Sequence, residues 1–209
     1  MGVMLGLVIA GAVTQAAPLG RSNVWLTDRD YPAGAKKRHE EGPVAFSILI
    51  SPQGRVEHCL VTKSSSFHEL DERTCALISA RARFKPATDE TGTAVYGNYQ
   101  GSLYWWDPKR KGIPVFKNNF APPSDMEIQV RILPNGAYKE SITVITKIEP
   151  SGHIVSCEPF LPTKSSPKLS EVACTEAKAN YQFIQANGEG KPVTVVRNLR
   201  ITFTAAASN

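Results

Sequence analysis

The chain has 209 residues, 42% hydrophobic and 21% charged, with a net charge of +5. This balance excludes a disordered chain and leaves room for one medium domain or two small ones. It also argues against a nucleic-acid binder, because no dense Lys/Arg block is present; the basic run "AKKRHEE" is cancelled by its own glutamates and reads as a solvated turn.

From Gly2 to Val13 there is no charged or strongly polar side chain, and small residues follow at Thr14, Ala16 and Ala17. The pattern is that of a secretory signal peptide over residues 1–16, and it predicts an exported protein. The apolar run is about a dozen residues, short of the ~20 that a spanning helix needs. No Lys or Arg precedes it, so the alternative is an uncleaved short anchor. No later segment is apolar enough to cross a bilayer.

"PVAFSILIS" alternates β-branched and aromatic residues and predicts a strand. "PQG" turns it, and "RVEHCLVTK" returns as the second strand of a hairpin. Ser66 and Glu69 fit a capping box ahead of a helix over 69–83. Cys75, Ile78 and Ala82 share one face of that helix. A glycine turn then leads to a last strand over 94–105. The stretch "DPKRKGIPVFKNNFAPPSD", residues 107–125, is rich in Pro, Lys and Asn and reads as a linker.

The same order follows again. "SITVITKIE" and "HIVSCEPF" flank the turn "PSG", Ser166-Pro167 fits a cap with Pro at the first helical position, and a helix is expected over 169–181. Cys174, Ala177 and Tyr181 share its inner face. A last strand covers 192–203. An offset of 98 places Val44, Phe46, Ile48 and Ile50 on Ile142, Val144, Thr146 and Ile148. It also places Gly54 on Gly152, Cys59 on Cys157, Gly92 on Gly190 and Trp105 on Phe203, with Cys75 one residue away from Cys174. The expectation is an α+β protein of two tandem ββαβ units, 24–106 and 126–205. Each would be a three-stranded antiparallel sheet with one helix packed on one face.

Four cysteines in an exported chain suggest disulfides, and the repeat selects one of three pairings. Each helical cysteine faces the sheet, where the preceding strand offers its partner. The expected bridges are Cys59–Cys75 and Cys157–Cys174, each closing a loop of roughly 17 residues worth ~3 kcal/mol in the chain-entropy model. No CxxC occurs, and His58 and His153 lack ligand spacing, so neither a metal nor another cofactor is expected. Nothing suggests an enzyme. His58 adjoins a bridged cysteine, His68 and Asp71 sit at a helix start, and no nucleophile–base arrangement or phosphate loop is present.

The first unit resembles the C-terminal domain of TonB, the periplasmic energy transducer of Gram-negative bacteria. The resemblance rests on Tyr31-Pro32, Gly42, Gly54, Ser64-Ser65 leading to Leu70-Asp71, the segment Arg83-Phe84-Lys85-Pro86-Ala87 (similar to RFxPA) and Gly92. The second unit departs from the pattern: "ILPNGAY" is a poor version of the Tyr-Pro motif and "NYQFIQANGEG" lacks Pro-Ala. The resemblance implies a periplasmic module that binds a partner's peptide segment by adding it to the last strand as a further strand. By position that strand is 96–106, with Tyr96, Asn98, Tyr99, Gln100, Ser102, Leu103, Tyr104 and Trp106 along the binding border. The implied partner is a protein or peptide, an outer-membrane receptor segment or another envelope protein. No nucleic acid or small-molecule cofactor is involved, and a homodimer joined through sheet edges is a further option. Two alternatives remain: a membrane-anchored component of TonB-dependent transport, or an envelope protein with a structural role only. Leu103 and Trp105 are expected to face the helix. Tyr104 and Trp106 are expected on the opposite face, against the other unit or a ligand.

Overall fold

The computed structural model describes residues 11–20, 25–107, 123–134, 136–160 and 166–206. In chain order the elements are β1 (Ala17–Pro18), a 3-10 turn (Asp28–Asp30), α1 (Ala33–Lys37), β2 (Gly42–Ile50), β3 (Val56–Lys63), α2 (His68–Arg81), β4 (Phe84–Lys85), β5 (Ala87–Thr88) and β6 (Ala94–Trp105). The second half runs β7 (Met126–Val130), β8 (Lys139–Ile148), β9 (Ile154–Pro159), α3 (Pro167–Asn180), β10 (Gln185–Ala186), β11 (Pro192–Val193) and β12 (Val195–Ala205).

Each half is a hairpin, a helix and a returning strand. The β2–β3 hairpin turns at Gly54, whose φ is +75°, and a Cβ there would lie 2.1 Å from the Phe84 carbonyl oxygen, so only glycine fits. The β8–β9 hairpin turns in the same way at Gly152, with φ +90°. β6 pairs antiparallel with β2, from Gly42 with Trp105 to Ile50 with Gly97. β12 pairs antiparallel with β8 along ten residue pairs, from Val195 with Ile148 to Thr204 with Lys139. Disulfides tie β3 to α2 through Cys59–Cys75 and β9 to α3 through Cys157–Cys174. Pro167 is the first helical residue of α3, after Ser166 as N-cap. The start of α2 differs from the expected capping box. Phe67 is the N-cap and uses no side-chain bond, while Ser66 takes a left-handed φ of 78°. Asp71 secures the turn instead, accepting from the Ser65 amide at 2.9 Å and the Ser65 hydroxyl at 2.8 Å.

The two halves do not form two separate three-stranded sheets. They share one mixed eight-stranded sheet, whose main path runs β3-β2-β6-β12-β8-β9. The join is a short parallel pairing of Tyr96 with Val195 and Gly97 with Val196. Its physical cause is the unpaired backbone that each isolated three-stranded sheet would expose along its last strand; joining the strands satisfies part of both borders at once. Paired residues point to the same face. Gly97 and Val196 therefore share one face, where Val196 packs with Ile78 of α2 and with Ala82 just after it. Tyr96 and Val195 share the other, with Leu169, Ala173 and Ala177 of α3. The helices thus cover opposite faces, and each half completes the other's core. Ile145 and Val196 enter the core under α2, and Leu49 enters the core under α3. This explains why β2 is buried almost without interruption although its sequence alternates.

Residues 11–18 belong to the body. The Gly11 amide donates to the Glu90 carbonyl at 2.9 Å, Thr14 bridges to Thr88, and β1 pairs with β4. Val13 and Ala16 are buried in the core under α2. The signal peptide expected over residues 1–16 lies outside the described residues for its first ten positions; its last six are built into the fold. Residues 108–122 of the expected linker also lie outside the described residues. No described helix is long and apolar enough to cross a membrane.

Candidate functional site: an open strand border beside an aromatic cleft

Beyond Gly97 and Val196 the strands β6 and β12 diverge. Among the described residues, no strand pairs with Asn98–Leu103 on the side away from β2. That border opens onto a cleft of about 320 Å³ on the α2 face, with Trp25, Tyr31, Phe46, Tyr99, Leu103 and Trp105 in its lining. Trp105 is the floor. It is 2% exposed and donates from Nε1 to the Thr74 hydroxyl at 2.8 Å, while that hydroxyl donates to the Leu70 carbonyl. Tyr31 meets Trp105 edge-on at 5.3 Å between ring centroids. Trp25 contacts Phe84 at 5.6 Å and Tyr99 at 6.2 Å. Gly101 admits the Phe46 ring across the strand, since a Cβ there would lie 2.7 Å from the ring. The result is a fixed apolar groove alongside backbone that can still pair.

The segment that delivers Trp25 and Tyr31 is pinned by one buried carboxylate. Asp30 is 5% exposed and accepts from Arg81 at 2.6 and 2.7 Å. It also accepts from the Thr27 amide at 2.9 Å and the Thr27 hydroxyl at 2.8 Å. The Arg81 hydrogen bonds hold the Asp30 carboxyl far below the usual carboxylate range, more than offsetting its desolvation. Arg73 donates to the Asp30 carbonyl at 3.1 Å. Tyr31 donates to the Glu40 carbonyl, and burial, helped by the charge of Asp107, pushes its phenol up to about 12.

Between the diverging strands lies a polar wedge of about 260 Å³, whose lining includes Gln15, Asn98, Asp125, Asn198 and Arg200. Asn98 donates to the Ser47 hydroxyl at 2.9 Å. Asp125 accepts from the Arg200 amide at 2.8 Å and pairs with Arg197 at 2.9 Å. The Arg197 guanidinium lies over the Phe183 ring at 4.3 Å. No group of side chains suited to a metal is present among the described residues.

The residues named from the sequence divide along this geometry. Tyr96 is paired with Val195 and bonds through its hydroxyl to Glu57 at 3.2 Å, so it stands where the sheet is closed. Tyr99 and Leu103 line the cleft and pack on the α2 side; Asn98 and Gln100 line the polar wedge. Ser102, Tyr104 and Trp106 also reach the cleft, and Trp106 is 44% exposed. Sequence reasoning missed Trp25, Phe46 and Asp30. Trp25 and Asp30 stand in "WLTDRDYP", and the acid just before Tyr31-Pro32 was the available signal.

In the second half the equivalent border is filled. β7 lies parallel to β12, with Met126 beside Ile201, Ile128 beside Phe203 and Val130 beside Ala205.

Comparison with known proteins agrees with this architecture. Residues 27–105 match the family described as Gram-negative bacterial TonB protein C-terminal. A stretch of 51 residues is 43% identical to Protein TonB of Neisseria gonorrhoeae, covering 24% of this chain and 18% of that protein. The chain thus matches less than a fifth of that relative's length. The second half lies outside the family match. The family is non-catalytic, and its members bind outer-membrane receptors. On this match residues 27–105 are a TonB C-terminal domain.

Proposed function

We propose that the chain is a periplasmic protein-binding module that receives an extended segment of an outer-membrane receptor or another envelope protein on the β6 border. One observation carries this reading: Asn98–Leu103 lacks a strand partner among the described residues where an aromatic cleft lies beside it. Backbone pairing supplies affinity in such an arrangement, and pockets for alternate side chains supply selectivity. Two disulfides suit an oxidising compartment such as the periplasm. The test is a titration of the ¹⁵N-labelled protein with peptides from the periplasmic ends of outer-membrane receptors. Amide shifts at Asn98–Leu103 are expected. Shifts confined to the outer strands β3 and β9, or none at high micromolar peptide, defeat the reading.

The burial of Val13 and Ala16 favours a second reading, in which the N-terminus stays attached and holds the protein at the inner membrane. Cell fractionation with N-terminal sequencing separates the two. A mature start near Ala17 excludes the anchored form, and an intact start in the membrane fraction supports it.

A further inference from the structure

The border of β12 corresponds to that of β6, yet this chain fills it from within. Met126, Ile128 and Val130 are half-buried and pack on the core under α3, while Glu127 and Gln129 are exposed. The offset of 98 that aligns the halves carries Ile201 and Phe203 onto Leu103 and Trp105, which line the open cleft. β7 therefore occupies on β12 the place that the cleft marks on β6.

The segments leading into the two halves account for the difference. The entry motifs Tyr31-Pro32 and Leu133-Pro134 of "ILPNGAY" stand 102 apart, four residues being missing before β8, so residues 28–30 correspond to 130–132 at the end of β7. In the first half this stretch coils into the 3-10 turn, held by Arg81 on the Asp30 carboxylate and Arg73 on its carbonyl. The cysteines align α2 with α3 at an offset of 99, so the counterparts of Arg73 and Arg81 are Val172 and Asn180. No cation stands at either place, Ile132 stands at the position of Asp30, and just ahead of it lies "MEIQV". Its alternating apolar residues suit a strand, and it lies as one.

We infer that β7 is a built-in occupant of the second half's acceptor border. Among the described residues β6 is then the returning strand left with an acceptor border, for an extended protein segment that carries an apolar residue at every second position, as β7 does. The β6 half of this statement rests on the strand-addition reading above; the occupation of β12 does not.

The test uses the full-length ¹⁵N-labelled chain and the synthetic peptide SDMEIQVR, its own residues 124–131. One equivalent is expected to saturate the protein, with shifts at Asn98–Leu103 and the Trp25 and Trp105 indoles. A peptide with serine in place of Met126, Ile128 and Val130 is expected to lose them. Shifts at Ile201–Ala205 in the unaltered chain overturn the occupation by β7, and silence at millimolar peptide overturns the pattern assigned to the guest. Ile128→Pro removes a backbone N–H and weakens β7; stoichiometry is then expected to rise from one to two, with the second set of shifts at Ile201–Ala205. Ile128→Asp serves the same purpose should the proline variant not fold. A stoichiometry that stays at one in the folded variant refutes the role of β7 and leaves strand addition at β6 intact. A new site on β12 with none on β6 refutes the strand-addition reading and leaves β7's role standing.

Discussion

Replacing Thr74 with valine tests whether the floor of the cleft is held as described. Valine keeps the shape of threonine but deletes the hydroxyl that receives the Trp105 indole N–H. Thr74 is fully buried and Trp105 is 2% exposed, so no water replaces the lost acceptor. A buried donor left without a partner costs about 1–3 kcal/mol. For a chain of this size Tm falls by roughly 2–4 °C per kcal/mol, so a drop of about 2–12 °C is expected by circular dichroism. Trp105→Phe removes the donor, and Thr74 keeps its bond to the Leu70 carbonyl in that background. Thr74→Val should therefore cost at least ~1 kcal/mol less in the Trp105→Phe protein than in the parent, a coupling that urea denaturation of the four proteins resolves. Equal costs in the two backgrounds refute the proposed link between α2 and β6.

Opening the Cys59–Cys75 or Cys157–Cys174 bridge by paired Cys→Ala substitution should cost ~3 kcal/mol each in the chain-entropy model, measured by urea denaturation without reductant; unchanged stability in either variant counters the strand-to-helix staple. Asp30 has a folded-state carboxyl far below its unfolded value of about 3.9, so the stability it supplies is present above that value and lost progressively as pH falls from there through the lower folded-state value. Asp30→Asn is therefore expected to lower stability at pH 7 and to flatten its decline below pH 4, and an unaltered acid limb contradicts the Arg81 pairing. A chain beginning at Ala17 loses the burial of Val13 and Ala16, about 2–4 kcal/mol by apolar area, and equal denaturation midpoints for long and short chains would place residues 11–16 outside the functional fold.

What could be read from the sequence is what local periodicity encodes. Strand alternation in "PVAFSILIS" and the spacing of Cys75, Ile78 and Ala82 both depend on neighbours within two turns. The capping box failed because Ser66 and Glu69 competed with a longer alternative: Asp71 reaches Ser65 with two bonds and leaves Ser66 in a left-handed conformation. The shared sheet was not legible, since Tyr96 and Val195 lie far apart in sequence and two residue pairs leave no motif. β7 was missed although "MEIQV" alternates, because its context suggested a lead-in to the second unit. Asp30 was missed because its partners lie on α2, some fifty residues away.

The join at Tyr96 and Gly97 bears on how the acceptor border works. It closes β6 at one end, so on the strand-addition reading the stretch open to a guest is Asn98–Leu103. A border closed at one end limits the registers a guest strand can sample. The join also brings Ile145 and Val196 into the core behind that border, opposite the helix disulfide-bonded to β3. The second half thus braces the first. Separating the halves uncovers Ile145, Val196 and Leu49 together, which makes an isolated first half a poor stand-in for the site. The second half keeps its own β12 border covered by β7, so on the strand-addition reading proposed above duplication adds rigidity and register to one acceptor strand without adding a second.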